Sequence, residues 1–183
     1  MTAQPISRRS LEDTWSYLEA TGISMPRDVH GQPFVPPCMP SHDDEEPLGF
    51  DFFRCGHSDA DLSNLTLPRT FFGRSSLERV LFRNTDLSES RMCWDDFIEC
   101  DFTCADLTGC DLRASVFRDC RFTGAIMTNA ELRGAGFRHC DFTRAQMKGA
   151  KLTHTQRLTV ALSQEQKKVV DWHWRSPTQP GGG

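Results

Sequence analysis

At 183 residues, 25% charged and 38% hydrophobic, with a mean hydropathy of −0.49, the chain has the composition of one folded, water-facing domain. A formal net charge of −4 and a pI near 5.8 disfavour direct nucleic-acid binding, and no apolar run approaches the ~20 residues of a membrane helix. Eight cysteines would imply disulfides only in a secreted chain; Met1 to Ser10 lacks the apolar core of a secretory signal, so a cytoplasmic protein is expected.

Residues 1–22 read as an N-terminal segment holding one short helix. Ser10 is placed to cap it, with Asp13 three residues on as an imperfect capping box. Leu11, Trp15 and Leu18 fall at i, i+4 and i+7 on one face, and Gly22 ends the run. Such a helix caps whatever follows, or presents Trp15 to a partner. Residues 23–49 form a linker with six prolines, from Pro26 to Pro47, and the acidic run Asp43-Asp44-Glu45-Glu46. Proline at that density excludes helix and central strand, leaving extended polyproline structure or a wrapped loop. It lies along the domain or serves as a docking peptide.

Residues 50–154 keep one beat. From Leu62 to Leu152 every fifth residue is Leu, Phe or Met, nineteen positions without a skip. Two residues before each beat stands Ala, Cys, Ser, Thr or Val in seventeen cases; Leu65 and Asp95 are the exceptions. Asp often falls between, as in Ala60-Asp61-Leu62. Upstream, Phe52 is in frame, Cys55 takes a small position and His57 takes a beat. Five is neither the helical 3.6 nor the strand 2. A square coil that turns a corner every five residues aims each beat and each small residue at its axis, and an exact internal repeat points to a stacked array. Four sides per turn require a second period of twenty. Cys100-Asp101-Phe102-Thr103 recurs at Cys120-Arg121-Phe122-Thr123 and Cys140-Asp141-Phe142-Thr143. Sorted by side, Phe dominates the first and fourth sides, Leu and Met the second and third.

These residues resemble the pentapeptide-repeat family, whose consensus is a small residue, Asp or Asn, Leu or Phe, a small polar residue and any residue. The resemblance implies an all-β solenoid, a right-handed quadrilateral β-helix, with short helices as caps at both ends. It also implies mostly non-enzymatic binding roles.

Residues 155–183 break the beat at Arg157. Ser163 with Gln166 makes a capping box, and Gln164 to Trp172 reads as a short helix anchored by Val169, Val170 and Trp172. Trp174 follows, and Ser176 to Gly183 reads as a flexible tail. With Trp15 and Leu18 at the other end, these residues serve as caps or, at the C-terminal end, as a homodimer contact.

No catalytic set, metal site or cofactor loop stands out, so the chain is not expected to be an enzyme. Cys100, Cys120 and Cys140 form an inward column that does not converge as zinc requires. Cys93 and Cys104 point outward and are candidates for reactivity. Asp95 points a carboxylate inward; either the coil bulges near Met92 to Asp96 or Asp95 accepts backbone hydrogen bonds at a corner.

The charge is uneven. Residues 1–59 carry four basic against ten acidic residues, residues 60–154 thirteen of each, and residues 155–183 four against two. Within the repeats the third side sums to +3, with Arg74, Arg91, Arg113, Arg133 and Lys151 against Asp111 and Glu131, and it also exposes Phe71 and Trp94. Aromatic residues with arginine match the make-up of interface anchors. Arg113 and Arg133 sit one above the other, which calls for a bridging anion unless Asp111 and Glu131 neutralise them. The expected role is a protein-binding module that sequesters or inhibits a protein partner, with a toxin-neutralising immunity protein as one version. The alternative is a DNA-mimicking DNA gyrase or topoisomerase binder conferring resistance to topoisomerase poisons. No direct nucleic-acid or membrane contact is expected.

Overall fold

The computed structural model describes residues 7–23, 52 and 54–174. The expected linker 23–49 and tail 176–183 therefore lie outside the described residues, Ile23 apart. Five strands stack in parallel on one side of a coil: β1 (Gly56–Ser58), β2 (Ser76–Glu78), β3 (Asp96–Ile98), β4 (Val116–Arg118) and β5 (Gly136–Arg138). Each pairs with the next at an offset of twenty, as in Leu77 with Phe97. The other three sides repeat that offset through single bridges, such as Asp61 with Leu81, Thr66 with Asp86 and Phe71 with Arg91. At ~4.8 Å per stacked strand this is the expected tower.

Most corners share the same local chemistry. The beat's carbonyl accepts the N–H three residues on, at 3.0 Å for Phe102 with Ala105. The second residue after the beat is left-handed, as at Asn64, Asn84 and Asn129, the position a turn of this kind requires. An Asp before the beat accepts the N–H of the residue after it: Ser63 to Asp61, Ser88 to Asp86 and Thr143 to Asp141, each near 3 Å. Asp recurs at this position because its short carboxylate closes that turn.

The small residues are not only fillers. Where one carries a hydroxyl or thiol, it donates to the beat carbonyl 23 residues earlier, at the corner of the neighbouring coil, except that Thr70 donates to the Leu67 carbonyl three residues back. Thr85 reaches the Leu62 carbonyl at 2.5 Å, Cys110 reaches Leu87 at 2.9 Å and Cys120 reaches Phe97 at 3.4 Å. The carbonyl's second lone pair is thus satisfied inside a dry core. Along the axis Phe82, Phe102, Phe122 and Phe142 stack at 4.8–5.0 Å, as do Phe97, Phe117 and Phe137 at 4.8–5.1 Å. The two columns meet edge to face, with Phe117 and Phe122 centred 5.4 Å apart.

Both ends are covered. Helix α1 (Leu11–Thr21) has Ser10 as N-cap and left-handed Gly22 as C-cap, as expected. Leu18 is 1% exposed, and Trp15 packs against the core. Buried Thr14 accepts the Thr66 N–H at 2.9 Å, where a further coil would supply a carbonyl. At the other end the capping box at Ser163 and Gln166 opens helix α2 (Gln164–Val169). This helix is shorter than its expected run to Trp172. Val170 is already extended, and after β6 (Lys151–Thr153) comes a further strand, β7 (Asp171–His173), paired with it at the offset of twenty. Consecutive β-branched valines favour that extension. The beat therefore resumes on alternate sides: Val160 and Leu162 are buried on one and Val170 on the other, and Trp172 stacks below the Leu152 position.

Candidate partner-binding face

The third side changes character along the tower. In its lower coils acid and base alternate within each strand. Arg113 grips Asp111 through Nε and Nη2 at 2.8 and 2.6 Å, and Arg133 grips Glu131 at 2.7 and 2.6 Å. Burial works against ionisation of Asp111, but the bonds and charge of Arg113 outweigh it and hold the carboxyl below its usual range; Glu131 beside Arg133 behaves alike. The stacked guanidiniums of Arg113 and Arg133 thus have their counter-charges built in and need no bridging anion. Lys151 sits on the rung between Glu131 and Asp171.

In the upper coils the acids are missing. Phe71 and Arg91 take the rungs that Asp111 and Glu131 take below, and Gly73 and Cys93 take the positions of Arg113 and Arg133. Phe71 is half-buried; Arg74 and Arg91 are exposed and form no ion pair among the described residues. Trp94, on the corner one coil from Arg74, is 65% exposed. Of the seven residues the sequence brings to this side, Phe71, Arg74, Arg91 and Trp94 make one cluster. Arg113, Arg133 and Lys151 belong to a neutralised surface below it.

The cap residues also divide. Trp15, Leu18, Val170 and Trp172 pack on the core, and the Trp172 indole donates to the Lys167 carbonyl at 2.9 Å under the Arg157 guanidinium. Val169 and Trp174 point outward at 47% and 82% exposure, Trp174 stacked on His154 at 3.9 Å. Leu158 joins them at 89% exposure.

Asp95 is buried in a regular coil without a bulge, and its Oδ1 accepts the Ser75 N–H at 2.7 Å. Its Oδ2 is buried without a partner, and burial pushes the carboxyl up to about 8. This is the backbone-accepting alternative. The Cys93 thiol is pushed up to about 11 by burial and by Asp111, which removes it as a reactive thiol; Cys104 is exposed. His57 packs edge-on to Phe52, and burial lowers its basicity. Cys100, Cys120 and Cys140 donate to the carbonyls of Leu77, Phe97 and Phe117, and no group of three or more metal-ligating side chains occurs among the described residues.

One cap residue escapes the sequence reading. Gln156 is buried and binds three backbone groups. Its signal is an interval of ten: Leu152-Thr153 with Gln156 recurs as Leu162-Ser163 with Gln166.

Residues 95–166 match the family described as pentapeptide repeat region, and residues 58–92 and 75–113 match that described as pentapeptide repeats (8 copies). No match emerges among curated proteins. Among solved structures, HetL, a pentapeptide repeat protein involved in heterocyst differentiation regulation from the cyanobacterium Nostoc sp. strain PCC 7120, is 18% identical at a TM-score of 0.37 over 56% of this chain and 59% of that one. This chain thus spans about three-fifths of HetL. A pentapeptide repeat protein from the Arabidopsis thaliana thylakoid lumen is 31% identical at a TM-score of 0.34, over 63% of this chain and 76% of that one. A trypsin-treated form of QnrB1, a plasmid-mediated fluoroquinolone resistance protein, is 15% identical at 0.33, over 56% and 68%. No helix among the described residues is long and apolar enough to cross a membrane.

Proposed function

Because the chain belongs to the pentapeptide-repeat family, we propose that it works as a rigid protein-binding module that holds and blocks a protein partner. One observation carries this reading: an exposed tryptophan stands beside two arginines that form no ion pair among the described residues, on a face whose other arginines are matched. Tryptophan and arginine are the usual anchors of protein interfaces. A tower whose backbone is tied coil to coil loses little freedom on binding.

The DNA-mimicking alternative would need a continuous acidic face. Several of the tower's acids are instead matched by arginines. Asp101 is held by Arg83 at 2.7 Å and Asp59 by Arg79 at 2.6 Å, besides the pairs at Asp111 and Glu131. That matching weighs against the gyrase reading.

The test is affinity capture from the native host with the wild-type chain, Trp94→Ala, Arg91→Glu and, on the second side, Gln146→Ala. The first two should lose the captured protein while Gln146→Ala retains it. Equal capture by all four removes this face from the function. Ala114 already occupies the Trp94 corner position one coil below, so that backbone accepts alanine.

A further inference from the structure

Resting on the binding reading above, we propose that the upper third side takes an acidic segment of the partner, whose carboxylates pair with Arg74 and Arg91 and whose apolar residue packs on Trp94. The tower itself shows what is missing. At Asp111 and Glu131 the residue before the beat is an acid, and it takes up the arginine two positions on. One and two coils above Asp111 the same rung holds Arg91 and Phe71; among the described residues Arg74 and Arg91 form no ion pair, and the acid on the rung adjoining Arg91 is Asp111. Asp111 is the nearest acid down the face, and Arg113 holds it bidentately. Asp96, the next exposed acid along the chain, has turned the corner into β3.

The spacing defines the ligand. Arg91 begins its side and Arg74 ends the one above, three residues across the face, or about 10 Å at the rise of a strand. Two carboxylates three residues apart in an extended segment span that distance. Trp94 stands one coil below Arg74 and offers a flat apolar surface and a ring face for cation or aliphatic contact. The ligand must be short in charge. Asp111 and Glu131 lie directly below Arg91, and a polyanion continuing down the face would meet them. This favours a local acidic segment of a protein over nucleic acid.

The probe is a fluorescein-labelled peptide of about twelve residues with two glutamates three positions apart flanking a leucine. It is compared by anisotropy, using the full chain at low salt, with its glutamine counterpart and with a single-stranded oligonucleotide of similar length. The glutamate peptide should bind at least tenfold more tightly than the glutamine peptide, and more weakly as salt rises. Arg91→Ala and Trp94→Ala should each weaken it about tenfold or more, with Gln146→Ala unchanged. Equal binding of the two peptides, or preference for the oligonucleotide, overturns the proposal. So does binding that appears only after Asp43, Asp44, Glu45 and Glu46 are changed to amides, which makes the chain's own acidic run the occupant. Peptide binding that fails while capture still depends on Trp94 overturns the acidic chemistry and leaves the binding face standing; loss of both overturns both.

Discussion

Gln156 and Gln166 lie ten residues apart and make the same hydrogen bonds on opposite sides of the tower's C-terminal end. Each Oε1 accepts the N–H of the residue three before it, Thr153 at 2.7 Å and Ser163 at 2.8 Å. Each Nε2 donates to two carbonyls across a corner, Leu132 and Ala135 for Gln156, Phe142 and Ala145 for Gln166, at 2.8 and 2.9 Å in both cases. Within the tower such carbonyls are met by the next coil's N–H and by a stacked hydroxyl or thiol. One amide replaces both where the next coil is absent, so an open edge that would recruit other chains is closed. Replacing Gln156 by alanine removes the partner of the Ala135 carbonyl and of the Thr153 N–H and one of two bonds to the Leu132 carbonyl, and we expect a loss of about 2–3 kcal/mol in urea unfolding. Gln166 is half-buried and should lose less on the same change. Gln156→Glu should be no better than alanine, because a carboxylate cannot donate.

Phe117 is the centre of the aromatic core. It stacks on Phe97 at 4.8 Å and Phe137 at 5.1 Å, and presents edges to Phe102 and Phe122. Phe117→Ala should cost about 4 kcal/mol or more by leaving a cavity that rigid coils cannot close. Phe117→Leu should cost about 1–2 kcal/mol, since Leu77 already fills that column. Phe137 is partly exposed at the column's end, and its alanine variant should lose less than Phe117→Ala. Denaturant midpoints of the three variants check the order.

The tower was legible because a five-residue beat with a twenty-residue superperiod admits few geometries, and Leu62 through Leu152 sit where that geometry puts them. The charge-bearing side was legible as a sum, but its division was not. Whether Arg113 is matched depends on Asp111 two residues earlier pointing the same way, which the strand alternation gives once it is applied residue by residue. The C-terminal strand was missed because Val169 and Trp172 also suit a helix face, and a beat that skips alternate sides looks like no beat at all. Gln156 was missed because a capping box was sought only at a helix start, whereas the same hydrogen bonds close a coil.

Thiol chemistry separates the two cysteines that share an outward direction. Cys104 is exposed, whereas the Cys93 thiol is half-buried and pushed up to about 11 by burial and by Asp111. Because the thiolate is the nucleophile, iodoacetamide at pH 8 should label Cys104 well before Cys93. Buried Cys100, Cys110 and Cys120 should remain unlabelled until the chain is unfolded. Peptide mass mapping over time reads the order, and early labelling of Cys93 would contradict its environment.

Asp95 makes stability fall as pH rises. Burial, with a smaller contribution from Asp96, pushes its folded pKa up to about 8, above the usual carboxylate value. Between about pH 4 and 8 the unfolded chain therefore releases a proton that the folded chain keeps, and each pH unit in that window removes about 1.4 kcal/mol. The penalty is absent below pH 4, is on the order of 4 kcal/mol at neutral pH, and levels off above pH 8. Ser75 and Ser115, in the same column above and below, donate to the Phe52 and Met92 carbonyls, both at 2.5 Å. A serine at 95 would find the Phe72 carbonyl at the matching place, and its oxygen could take over from Oδ1 as acceptor for the Ser75 N–H. Asp95→Ser should thus raise stability at pH 7 by a few kcal/mol and flatten its pH dependence between 4 and 8. Urea unfolding across that range tests this. Equal slopes for wild type and variant would show that Asp95 ionises in the fold at its ordinary pKa, with its orphan oxygen solvated.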